Sequence, residues 1–74
     1  MYEVDTRELK IAMAEAGIDS IEQLSKATEV NRNTLSGVVN GSSYPSSMVM
    51  VKIAGALDLT RDRAGSIFFK RKLA

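Results

Sequence analysis

Between positions 31 and 40 the chain carries Asn31, Arg32, Asn33, Ser36, Gly37 and Asn40, spaced around the apolar residues Leu35, Val38 and Val39. The apolar members recur at three- and four-residue intervals, so on a helix they form one inward stripe and leave the polar set on the opposite face. Those polar types can read base edges. An asparagine carboxamide pairs bidentately with adenine, and an arginine guanidinium with guanine or with a phosphate. Thr34, Ser36 and Ser42 could donate to phosphate oxygens. Ser20 marks the start of an earlier helix, whose free backbone amides and positive dipole end suit a phosphate.

Other chemistries lack their residues. The sequence contains no cysteine and no histidine, which removes disulfide staples and the usual thiolate and imidazole metal sites. No base–nucleophile pair and no glycine-rich phosphate loop is present, and Glu3, Asp5, Glu8 and Glu15 read as exposed helix charges. The expectation is a protein that is not an enzyme, with no cofactor, no metal and no small-molecule ligand. Seventy-four residues make one domain, residues 1–74, whose 45% hydrophobic content must hold it together by packing alone. No run approaches the roughly 18–20 apolar residues of a membrane span, and the first ten residues are too acidic for a signal peptide. A soluble, cytoplasmic protein is expected. The net charge of +1 hides an asymmetry: residues 1–19 sum to −3, residues 20–60 to zero and residues 61–74 to +4. A basic end permits contact with a polyanion.

The elements that must position these residues are all helical. Leu9, Ala12, Met13 and Ala16 give a first helix over residues 6–16, ended by Gly17. Ser20 and Gln23 have the spacing of a capping box, with Ile21, Leu24 and Ala27 as the apolar face of a second helix. After a tight turn at Glu29-Val30, Asn31 caps a third, which Gly41 stops. Ser46 or Ser47 caps a fourth, carrying Met50, Val51, Ile53, Ala54 and Leu57. Thr60 caps a fifth, with Ala64, Ile67 and Phe68 facing inward. No segment sustains period-two alternation, so the reading is all-α, a compact five-helix bundle. Residues 20–41 are its helix-turn-helix unit, and the basic tail at residues 70–74 should fray.

The stretch from Ser20 to Gly41, with Val30-Asn31-Arg32-Asn33-Thr34-Leu35-Ser36 and Asn40-Gly41 its most specific parts, resembles the helix-turn-helix of the phage Cro/CI repressor-like (XRE) family. Pro45, the run Val51-Lys52-Ile53-Ala54-Gly55-Ala56-Leu57 and the close Asp58-Leu59-Thr60 resemble that family's fourth helix. The ending Ala64-Gly65-Ser66-Ile67-Phe68-Phe69 is similar to small regulators of phages and mobile elements of Gram-positive bacteria. The resemblance implies a lambda-repressor-like fold and a transcriptional regulator that binds double-stranded DNA. It also implies recognition-helix positions for Asn31, Arg32, Asn33, Ser36 and Gly37, and a phosphate-contact position for Thr34. Three residues depart from the pattern. Ile21 stands where many members have a phosphate-gripping glutamine, Glu29 where they have a turn glycine, and Gly37 where many place a long polar or basic side chain. With fewer contacts per copy, tight binding calls for a dimer or a partner protein.

Two functional readings therefore stand side by side. One is a Cro-type or repressor-like regulator in a phage or prophage genetic switch, working as a homodimer on DNA. The other is a modulator or antirepressor on the same fold that binds a cognate repressor and alters its DNA occupancy. Met13, Met48 and Met50 read as core or near-core fillers. One ring of Phe68-Phe69 should close the core, and the other is a dimer or partner contact if exposed. Arg7 and Lys10 read as surface charges, and Lys70-Arg71-Lys72 as a solvated end.

Overall fold

A computed structural model describes residues 1–73. It contains, in chain order, β1 (Tyr2–Glu3), α1 (Thr6–Glu15), α2 (Ile21–Thr28), α3 (Arg32–Asn40), α4 (Ser47–Ala56), α5 (Arg61–Phe68) and β2 (Lys70–Arg71).

Each helix begins on a side chain that supplies the acceptor its first amides lack. Asp5 Oδ1 accepts from the Glu8 amide at 3.1 Å, Ser20 Oγ from Gln23 at 3.1 Å, and Asn31 Oδ1 from Asn33 at 2.7 Å. Ser46, rather than Ser47, caps α4, and Thr60 caps α5. The Gln23 side chain returns its half of the box to the Asp19 amide at 2.8 Å, one residue earlier than the standard arrangement.

Leu9, Leu24, Leu35, Ile53, Ile67 and Phe68 are fully buried and draw all five helices onto one core. Helix α2 packs against α3 and α4, while α1 packs against α3 and α5. The radius of gyration, 11.1 Å, equals the ~11 Å expected of a compact chain of this length, which leaves no segment extended away from the core among the described residues.

The outcome differs from the periodicity at several positions. Ala16 is the exposed C-cap of α1 and not part of its inward stripe. Ala27 is exposed, and Thr28 takes the buried place because its hydroxyl donates to the Leu24 carbonyl oxygen at 2.8 Å. Met48 and Val51 are 68% and 71% exposed and fill nothing. Of the acidic residues, Asp5 is a cap, Glu15 pairs with Arg63 at 2.5 Å, and Glu3 lies on a strand 3.8 Å from Lys70. The tail does not fray as a whole. Lys70 and Arg71 pair antiparallel with Glu3 and Tyr2, Phe69 meets the Tyr2 ring edge-on at 5.3 Å, and the Lys72 amide donates to the Met1 carbonyl oxygen at 3.1 Å. Ala74, the last residue of that tail, lies outside the described residues. Two residues per strand are too few to show alternation in a sequence.

Candidate nucleic-acid interface

The unit formed by α2, the turn Glu29–Val30–Asn31 and α3 is held from inside and from within the turn. Ser25 Oγ donates to the Val30 carbonyl oxygen at 2.6 Å, and the Val30 amide donates to Thr28 Oγ1 at 3.3 Å. Glu29 closes α2 in the left-handed region at φ 59°. That conformation turns the chain so that the Val30 amide and carbonyl oxygen meet Thr28 Oγ1 and Ser25 Oγ, and these two bonds hold a non-glycine residue there.

Helix α3 buries Leu35, Val38 and Val39 and leaves Arg32, Asn33, Thr34 and Asn40 exposed, with Ser36 half-buried between them. A helix of this kind, ~10–12 Å across, matches the ~12 Å width of the major groove. Arg32 has no carboxylate within 4.0 Å among the described residues, so its guanidinium is available. Asn40 Nδ2 donates to Ser36 Oγ at 3.3 Å, which orients both side chains along the same exposed ridge. Asn31 stands at the end of that ridge, with Oδ1 engaged in capping and Nδ2 left to donate.

Gly37 differs from its neighbours. It lies beneath the loop that follows α3. Its carbonyl oxygen accepts from the Ser42 and Ser43 amides at 2.9 and 3.2 Å and from Ser42 Oγ at 3.4 Å. A Cβ at this position would run into the Ser43 hydroxyl. The missing side chain thus lets the loop fold back across the helix, and any contact from Gly37 outward is made by its backbone.

Of the residues expected to meet phosphates, Thr34 and Ser42 are exposed, while Ser20 is half-buried with its oxygen already accepting from Gln23. The sequence reading overlooked Lys26. It shares a cleft with Glu22, Ser25, Asn31, Arg32 and Asn33, where the last turn of α2 meets the first turn of α3. The four-residue spacing of Glu22 and Lys26 was the available signal, since it places both on one outward face. Lys26 and Arg32 bring two cations to this cleft against the one carboxylate of Glu22, a balance suited to an anion.

Phe68 is buried and Phe69 is 50% exposed, which separates the two rings the sequence left undivided. Phe69 lies at the end of an apolar groove between α4 and α5, with Met50, Val51, Ala54 and Ala64 along it.

A family model described as Cro/C1-type HTH DNA-binding domain matches residues 8–61. No curated protein and no solved structure matches the chain. No helix among the described residues is long and apolar enough to cross a membrane.

Proposed function

The chain belongs to the Cro/C1-type helix-turn-helix DNA-binding domain family, and on that premise we propose that it is a sequence-specific transcriptional regulator of a phage or prophage genetic switch, acting on cytoplasmic double-stranded DNA. The observation that carries the reading is the division of α3 into a buried face of Leu35, Val38 and Val39 and an outward polar ridge. On that ridge Arg32, Asn33, Ser36 and Asn40 read base edges, with Asn31 adding a donor, while Gly37, expected among them, is covered by the loop after α3. Ser20, Thr34, Ser42 and Lys26 hold the flanking phosphates.

Two copies related by a two-fold axis would place two α3 helices on half-sites about 34–36 Å apart. The apolar groove ending at Phe69 supports such a pairing, since it leaves Val51 and Phe69 exposed beside other apolar side chains. The same groove supports the second reading, a modulator that captures a cognate repressor. The carboxylate of Glu29 beside the turn favours it further by opposing DNA.

The test is a fluorescence-anisotropy titration against duplexes selected by the protein from a random pool, at two salt concentrations, with Arg32→Ala alongside. Salt-sensitive, sequence-dependent binding lost in the variant is expected. Equal binding by parent and variant would remove α3 as the reading helix. Weak binding indifferent to sequence, together with co-purification with a second regulator, would establish the modulator instead.

A further inference from the structure

The terminal ribbon has a place in the fold that its charges make consequential. Strand pairing of Tyr2–Glu3 with Lys70–Arg71 carries the chain past Phe69 and back toward the loop after α3. A cleft there is lined by Glu3, Ser42, Ser43, Tyr44 and Lys72, among others. Two contacts fix its walls. The Tyr44 hydroxyl donates to the Phe68 carbonyl oxygen at 2.5 Å, tying the loop to the end of α5. The Lys72 amide donates to the Met1 carbonyl oxygen at 3.1 Å, continuing the ribbon by one residue.

Lys72 follows directly on β2, whose Lys70 faces Glu3 across the ribbon. Lys70 stands 3.8 Å from the Glu3 carboxylate, in an exposed pair that water screens. Lys72 has no carboxylate within 4.0 Å among the described residues. Lys72 therefore brings an unpaired cation to a cleft that Glu3, Ser42 and Ser43 also line, the two serine hydroxyls resting over Gly37. Ser42 and Ser43 are themselves steered by their amide bonds to Gly37 of the reading helix. One cation and two hydroxyls suit a phosphodiester oxygen.

We propose that Lys72, with the hydroxyls of Ser42 and Ser43, clamps a backbone phosphate of duplex DNA beyond the C-terminal end of α3. The proposal rests on the DNA-binding reading above. It makes the ribbon a second, sequence-blind grip, attached to the loop that leaves the reading helix.

The experiment compares Lys72→Gln with Lys52→Gln, an equal loss of charge on exposed α4 outside the cleft. The probe is the duplex selected from a random pool by the parent protein. Each phosphate contact contributes about 0.9 to the slope of log affinity against log salt, so K72Q should lower that slope by about 0.9 and weaken binding a fewfold at low salt. Preference for the selected sequence over a scrambled one should survive, and K52Q should behave as the parent. Shortening the duplex ends should abolish the difference between K72Q and the parent. Equal slopes for K72Q and K52Q would overturn the clamp while leaving the reading helix in place. A parent that prefers no sequence, with Arg32→Ala indistinguishable from it, would instead remove the reading on which the clamp depends. Circular dichroism melts of both variants, expected to superimpose on the parent, guard against a folding artefact.

Discussion

The hydroxyl of Tyr44 lies 2.5 Å from the carbonyl oxygen of Phe68 and joins the loop after α3 to the end of α5. Tyr44 is also the residue whose ionisation the fold displaces: burial pushes its hydroxyl above the ordinary tyrosine value, and the nearby Tyr2 adds to the effect. Tyr44→Phe keeps the ring and removes the bond, leaving a main-chain carbonyl oxygen without its donor. A loss of about 1 kcal/mol in chemical denaturation is expected. A raised folded value means that this contribution is complete below the unfolded tyrosine pKa and fades as pH rises through the folded one. The alkaline fall in stability should therefore be shallower in the variant than in the parent.

Glu29→Gly should stabilise the domain. A non-glycine residue in the left-handed region costs about 1 kcal/mol, part of which glycine returns through its freer unfolded chain, so a net gain of about 0.5 kcal/mol is expected in urea denaturation. The change also removes a carboxylate beside the reading unit, so DNA affinity should rise with it. A variant that is more stable but binds no better would place the Glu29 carboxylate away from the phosphates.

Gly37 and Ser43 should be thermodynamically coupled. Gly37→Ala gains up to about 1 kcal/mol of helix propensity but forces the Ser43 hydroxyl aside. Ser43→Ala removes the obstructing oxygen. In a double-mutant cycle the pair should be more stable than the single changes predict, by at least about 0.5 kcal/mol. Additive behaviour would mean that the loop has room to move.

Phe69→Ser should lower the melting temperature by only a few degrees, because it loses the edge-on contact with Tyr2 while Phe68 still fills the core. Its effect should appear in sedimentation, as a shift from dimer to monomer, and in weaker binding to a two-half-site duplex. Unchanged sedimentation of a dimeric parent would assign the dimer contact elsewhere.

The parts of this fold that could be read from the sequence are those whose chemistry closes locally. Ser20, Asn31 and Thr60 cap helices because each finds an amide within three residues, and Gly41 stops α3 at φ 81°. The buried stripe of α3, and with it the outward ridge, follows from helical period alone. Thr28 escaped because a polar residue buried on its own backbone carbonyl carries no apolar signal. Gly37 was placed outward by its angle on the helix, yet the returning loop covers it through bonds that involve Ser42 and Ser43. Lys72 reads with its neighbours as a solvated end, because its tie to Met1 depends on Tyr2 and Arg71 meeting across almost the entire chain.

That meeting has a kinetic meaning. The helices form from neighbours in sequence, whereas the ribbon can zip only after α5 has docked and brought the two strands together. It joins the most distant residues in the chain through very few backbone bonds, so it is the element expected to form last and open first. In hydrogen exchange the amides of residues 2–3 and 70–72 should exchange ahead of the helices, without global unfolding. With the proposed clamp on it, such a detachable cuff would change the residence time on a nucleic acid by opening a few bonds while α3 stays folded.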